Sequence, residues 1–118
     1  MPHEISLIPY ACGSGAEKRN CADAPDYLRK YGLADILQSK GLDAKWADYT
    51  KIKKMPDSIS NVTKHCLALK SNVQDALSED SFPITIGGDH SMAIGTWTGV
   101  ADNLHSRRKL GLIWIDAH

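Results

Sequence analysis

Two short segments of this chain carry residue types from which a metal site can be built. The first is GGDHS at positions 87–91, where two glycines leave room for a close backbone approach and His90 offers an imidazole nitrogen. The second is DAH at positions 116–118. Residues two apart in an extended chain point to the same side, so the Asp116 carboxylate and the His118 imidazole would face one point. One carboxylate and two imidazoles suit manganese, iron, cobalt or zinc, and the set lacks the thiolates of a structural zinc site.

Each segment alone also has an ordinary structural interpretation. On its own, GGDHS is better explained as a glycine turn that leads into a helix cap, and a three-residue DAH is by itself nearly uninformative. The combination says more, because each segment directly follows a predicted buried strand. The carboxyl ends of parallel strands meet at one edge of an open sheet, which is where ligands bind. Together the two segments favour a metal site at that edge.

The elements around these segments predict a three-layer α/β/α domain with a mainly parallel sheet. Four strands are predicted, at residues 3–9, 43–47, 83–86 and 110–115, of which the last two are of the buried type. A helix from Ala24 is expected to break at Gly32 and to resume until near Gly41. Another helix is predicted to begin at Ser91.

The clearest predicted helix follows Asp57, which is a good N-cap residue. Its apolar stripe at helical spacing predicts a core face made of Ile59, Val62, Cys66, Leu69, Val73 and Leu77. His65 stands beside the stripe and is predicted to lie at its boundary rather than to bind a ligand. The KIKK run at positions 51–54 is predicted to be a solvated loop rather than a binding patch.

Composition narrows the class of protein. The 118 residues are enough for a single domain, and 42% hydrophobic with 24% charged residues is typical of a soluble globular protein. Lys plus Arg equals Asp plus Glu at 14 each, and no apolar run approaches a membrane span, so neither nucleic acid nor a membrane is expected as a partner. The three cysteines lack metal-type spacing, and the N-terminal residues do not resemble a secretory signal. Both observations predict a cytoplasmic protein.

The two metal-type segments resemble the ureohydrolase family, the arginases, agmatinases and related manganese-dependent enzymes that hydrolyse guanidinium groups. In that family GGDHS is also followed by a strand that ends in DAH. Residues 20–37, NCADAPDYLRKYGLADIL, look like the arginase-type segment in which a Gly-Pro pair precedes Leu-Arg and Gly-Leu. Ala24 stands where the family usually has glycine. The resemblance covers most of the chain and favours arginase over agmatinase.

The resemblance implies a site for two manganese ions and a small guanidinium substrate. His90 would bind one ion, His118 would bind the other, and Asp116 would bridge them. Asp89 and Ser91 would support these ligands without binding the metal themselves. The implied activity is hydrolysis of an arginine-like substrate to urea and an amine.

The resemblance also implies that part of the site is missing. The family has a further aspartate two residues after DAH and a later Asp-X-Asp pair, so 118 residues hold three of the six ligands. We therefore expect residues 1–118 to be a single domain, the N-terminal half of an arginase-like catalytic domain, and to be inactive alone. The alternative is a non-catalytic α/β fragment or binding module with at most weak metal affinity. A nucleotide-binding domain is disfavoured, because no phosphate-loop motif follows a strand.

The family fold places two strands from the absent C-terminal part between the strands at 83–86 and 110–115. Three outcomes are expected for the gap that this leaves. The two strands pair directly, two chains exchange strands in a homo-oligomer, or a complementing C-terminal half fills the gap.

Overall fold

The computed structural model of this chain describes residues 4–48, 52–104 and 108–117. Its centre is a parallel sheet of three strands in the order β2-β1-β3, formed by β1 (Glu4–Tyr10), β2 (Asp43–Trp46) and β3 (Ser81–Gly87). The chain leaves β1 in one direction to form β2 and crosses back to form β3 on the other side. This reversal creates a switch point at the carboxyl ends of β1 and β3, the place where open α/β sheets bind ligands.

The helices follow the predicted order. A short 3-10 helix (Arg19–Asp23) precedes α1 (Ala24–Lys30) and α2 (Leu33–Ser39), and α3 (Ser58–Ser78) and α4 (Met92–Leu104) follow later in the chain. Because parallel crossovers are right-handed, the opposite directions of the two connections place α1 and α2 on one face of the sheet and α3 on the other. The predicted three-layer α/β/α arrangement is confirmed. Within the described ranges, no helix is long and apolar enough to cross a membrane.

The predicted helix boundaries have clear local causes. Gly32 (φ 78°) and Gly41 (φ 82°) adopt the left-handed conformation that interrupts and then ends the early helical region. At the start of α3, the Asp57 carboxylate accepts a hydrogen bond of 2.8 Å from the Ser60 amide. This bond lowers the pKa of the Asp57 carboxyl group. Asp57 is therefore the N-cap that the sequence predicts.

The core lies between β1 and α3. Leu69 and Val73 of α3 are buried against Ile8 and Tyr10 of β1, and Cys66 joins the same cluster. The glycines of α4 face this helix: a Cβ on Gly95 would lie 2.7 Å from the Cys66 carbonyl oxygen, and one on Gly99 would lie 2.9 Å from the Lys70 carbonyl oxygen. The glycines that weaken the helical pattern of α4 are thus the residues that let α4 approach α3 closely.

Two predictions about α3 are wrong. Ile59 was expected in the core but is 80% exposed. It lies in the first turn of α3, whereas α4 approaches α3 at Cys66, about two turns later. His65 was expected at a boundary but is buried, with 7% of its surface exposed. Burial is possible because its Nδ1 lies 2.8 Å from the Asn61 carbonyl oxygen and Tyr10 packs edge-on against its ring.

The predicted strand at 110–115 is also wrong for this chain. Residues 109–117 contain no strand, and Ile113 and Ile115 are 85% and 92% exposed. An extended segment becomes a strand only when a neighbour supplies the hydrogen bonds of its ladder. In the described part of the chain, β3 pairs with β1 alone. Direct pairing of the strands at 83–86 and 110–115 is therefore not found.

Candidate metal centre

The loop that carries His90 is tied to the loop after β1. The Gly88 amide donates to the Tyr10 carbonyl oxygen (3.2 Å), and the Asp89 amide donates to the Cys12 carbonyl oxygen (2.9 Å). A Cβ on Gly88 would lie 2.2 Å from the Cys12 carbonyl oxygen, so only glycine allows this approach. The two loops are thereby joined at the switch point of the sheet.

Asp89 is buried, with 5% of its surface exposed, and protein donors occupy both of its oxygens. Oδ2 accepts from the Gly15 amide (2.8 Å), whereas Oδ1 accepts from both the amide (2.8 Å) and the hydroxyl of Ser91. The carboxylate therefore joins three backbone segments: the loop after β1, the turn after β3 and the start of α4. In this structure Asp89 orients the turn on either side of His90.

The hydrogen bonds continue through Ser91 to β1 and α3. The Ser91 hydroxyl donates its hydrogen to Asp89, so the Tyr10 hydroxyl must be the donor in its 2.6 Å bond to Ser91 Oγ. Burial raises the pKa of Tyr10 far above its usual range, which keeps the phenol protonated for this role. Cys66 Sγ completes the network by donating to the Ser91 carbonyl oxygen (3.3 Å).

His90 itself is exposed and lines a cleft of about 600 Å³ between β3, α4 and residues 113–117. The ring of Trp114 lies 6.2 Å from the His90 ring, centroid to centroid. The Trp114 indole donates a hydrogen bond of 3.2 Å to Asp116 Oδ2. The structure thus brings two of the predicted ligands, His90 and Asp116, to one cleft. The third, His118, lies outside the described residues.

The donors in this cleft have the right chemistry for manganese but do not complete a site. An imidazole nitrogen and a carboxylate oxygen are both ligands that manganese accepts. Within residues 4–48, 52–104 and 108–117, however, no three His, Cys, Asp or Glu residues are grouped closely enough to hold an ion. The described residues can therefore supply part of a coordination sphere.

Three residues that shape this region were not predicted from the sequence. Tyr10 bonds Ser91, Gly15 bonds Asp89, and Trp114 contacts both His90 and Asp116. For Tyr10 a signal existed, because it directly follows the strand predicted at 3–9 and so lies at the same sheet edge as His90. For Gly15 and Trp114, contacts between distant segments decide the role, and no local pattern reports them.

Comparison with known proteins places this arrangement in context. Residues 3–118 match the Arginase family. The arginase of Emericella nidulans is 32% identical over 135 residues that cover 99% of this chain and 40% of that protein, and the arginase of Neurospora crassa is 42% identical over 135 residues that cover 100% and 37%. The crystal structure of arginase from Bacillus cereus is similar with a TM-score of 0.76 and 34% identity, covering 98% of this chain and 39% of that one.

The matched region is the same part of each relative. This chain spans about 40% of the length of the curated arginases that it matches, and it corresponds to their N-terminal part. The family match covers nearly all of the 118 residues. This chain belongs to the arginase family.

Proposed function

We propose that this chain contributes the N-terminal part of a manganese-dependent hydrolase that converts an arginine-like guanidinium compound to urea and an amine. The observation that carries the proposal is the joint lining of one cleft by His90 and Asp116 at the carboxyl edge of the sheet. Membership of the arginase family supports the class of reaction. The named relatives are arginases, which supports an arginine-like substrate.

In this proposal His90 and Asp116 hold manganese, with His118 as a further ligand. Bound manganese ions would lower the pKa of a water molecule and stabilise charge that develops during hydrolysis. The protein's own contribution is to orient the ligands: Asp89 and Ser91 fix the turn that bears His90, and the Trp114 indole holds one oxygen of Asp116. The negative charge of Asp116 also attracts a cationic guanidinium group.

We further propose that the 118 residues alone do not turn substrate over. His90, Asp116 and His118 are three donors, whereas a two-ion site of this family needs six. Manganese should therefore bind weakly and without urea release. Manganese affinity is measured by titration calorimetry or by the loss of the electron paramagnetic resonance signal of free manganese. Urea is measured after incubation of the chain with arginine.

The expected effects of substitutions are specific. Asp116→Asn or His90→Ala should weaken manganese binding at least about tenfold, since even residues that only support metal ligands have effects of this size. Asp102→Asn, an exposed acid of α4 outside the cleft, is the matched control and should leave affinity unchanged. Equal manganese affinity in all variants would contradict the proposed site. Urea release by the unmodified chain that His90→Ala abolishes would contradict the proposed inactivity.

A binding module with weak metal affinity is the second candidate function. It is favoured by the lack of a three-donor group in the described part of the chain. A chimera that joins this chain to the remaining part of the Bacillus cereus arginase separates the two. Urea release by the chimera supports the hydrolase, whereas manganese binding without turnover supports the binding module.

The partner proposed for the open side of the sheet is another polypeptide, either a second copy of this chain or a complementing C-terminal half. Five apolar side chains of the segment after α4 are 43–92% exposed: Leu110, Leu112, Ile113, Trp114 and Ile115. Such a segment favours association when it lies near β3, which in the described part of the chain pairs with β1 alone. Light scattering at micromolar concentration should therefore give at least a dimer mass, and a monodisperse monomer would exclude the second-copy form.

We also propose a cytoplasmic location. Cys12, Cys21 and Cys66 all carry free thiols, of which two are buried. Reduced cysteines are the rule in the cytosol.

A further inference from the structure

A second cleft, of about 260 Å³, lies between the loop after β1, residues 52–54 and the start of α3. Its polar lining consists of Ser14, Arg19, Lys54, Asn61 and His65. It shares no residue with the cleft of His90 and Asp116. Two permanent cations line it, and none of its described lining residues is acidic. Its charge therefore suits an anion.

Buried polar groups hold this cleft in shape. Asn61, only 7% exposed, donates from Nδ2 to Ser14 Oγ (2.8 Å) and accepts at Oδ1 from the Met55 amide (3.1 Å). It thereby links the loop after β1 to the segment at residues 52–55. Arg19 is anchored at the rim, where one guanidinium nitrogen donates to Ser58 Oγ (3.3 Å). The guanidinium has five N–H donors, so the others are available to a ligand.

The acid that precedes Ser58 in the chain is already engaged by a backbone group. Asp57 precedes Ser58, and its carboxylate caps α3 through the Ser60 amide. Asp57 does not line the cleft. It lowers the positive potential at the rim without competing for the floor of the cleft.

The tautomer of His65 specifies the chemistry of the anion. Its Nδ1 lies 2.8 Å from the Asn61 carbonyl oxygen, which can only accept, so Nδ1 carries the hydrogen. In the neutral ring, Nε2 is then a hydrogen-bond acceptor. Within the described residues, His65 forms a hydrogen bond at Nδ1 and none at Nε2. A ligand that pairs with all three side chains would offer negative oxygens to Arg19 and Lys54 and an O–H group to His65, which lines the cleft.

We infer that this cleft binds inorganic phosphate as the hydrogen phosphate ion. Hydrogen phosphate carries both negative oxygens and one hydroxyl. Sulfate and a simple carboxylate such as acetate have no hydroxyl at neutral pH, and the phosphate group of a monoester has mostly lost its last proton there. The KIKK run therefore contributes Lys54 to a binding site, where the sequence predicted only a solvated loop. This inference is independent of the proposed hydrolase function.

The test is a titration of the 118-residue chain with sodium phosphate at pH 7.5 and constant ionic strength. Binding is followed by the nitrogen and carbon-bound proton shifts of the His65 ring, with calorimetry as a second readout. We expect saturable shifts of the His65 ring. Sulfate, which has the same shape but no hydroxyl, should bind at least about tenfold more weakly. A phosphate monoester should resemble sulfate, which identifies inorganic phosphate as the source of the oxyanion.

Variants with matched controls locate the site. Arg19→Gln and Lys54→Gln should each weaken phosphate binding about tenfold, because each removes a charge-assisted hydrogen bond. Lys18→Gln and Lys53→Gln remove the same charge one residue away from cleft-lining positions and should have little effect. All four side chains are exposed, so folding should persist, which circular dichroism verifies.

Three results would overturn the inference. They are the absence of a saturable His65 shift, equal affinity for sulfate and phosphate, and equal weakening by the control variants. The last two would mean an adventitious ion only, attracted by general positive charge. If Arg19→Gln loses phosphate binding but still binds manganese, the phosphate cleft is independent of the cleft of His90 and Asp116.

Discussion

Gly88→Ala should lower the free energy of unfolding by about 3 kcal/mol. The added Cβ would lie 2.2 Å from the Cys12 carbonyl oxygen and 2.7 Å from that of Tyr10, and both are backbone atoms that cannot rotate away. Relief requires the loops after β1 and β3 to separate, which breaks the hydrogen bonds of the Gly88 and Asp89 amides. Urea denaturation of the two proteins measures the difference.

Gly111→Ala is the matched control for this substitution. A Cβ at Gly111 meets no atom within 4 Å, so its effect on stability should stay within about 0.5 kcal/mol. A Gly88→Ala protein as stable as Gly111→Ala would contradict the close approach of the two loops. Because Gly88 precedes His90 by two residues, Gly88→Ala should also weaken manganese binding in any form that retains its fold.

Asp89→Asn should destabilise the chain by about 3 kcal/mol, although the two side chains have nearly the same shape. One oxygen of Asp89 faces the Gly15 amide and the other faces the two Ser91 donors. An asparagine must turn its NH₂ group towards one of these donors, which leaves buried N–H groups without acceptors. The same denaturation experiment measures the loss.

An acid that forms an exposed ion pair provides the comparison for Asp89. Asp102 of α4 pairs with Lys70, and its side chain is 49% exposed. Solvent screens such pairs, so Asp102→Asn should cost less than about 1 kcal/mol. If Asp89→Asn were no more harmful than Asp102→Asn, the buried carboxylate would not be joining the three segments as described.

Local patterns determined much of the fold in advance. The N-cap at Asp57, the left-handed glycines 32 and 41, and the apolar run of β3 act within a few residues, so their effects are visible in sequence. The order of strands and helices followed from the same signals. The paired segments GGDHS and DAH also indicated the family, which the comparison with arginases shows.

The site depended on contacts that no local pattern contains. Tyr10 and Ser91 are 81 positions apart in the sequence, yet their hydroxyl groups are 2.6 Å apart in the structure. His65 could be buried only because Asn61 and Tyr10 satisfy and cover its ring. Its place in the second cleft, beside Arg19 and Lys54, likewise required the tertiary structure.

The segment 110–115 shows most clearly where sequence and tertiary structure part. Its apolar residues by themselves determine that it belongs beside other strands or under a cover. Whether it becomes a strand depends on a neighbour that offers backbone hydrogen bonds, and in the described residues β3 pairs only with β1. Hydrophobic patterning is a property of one segment, whereas a β-ladder is a property of two.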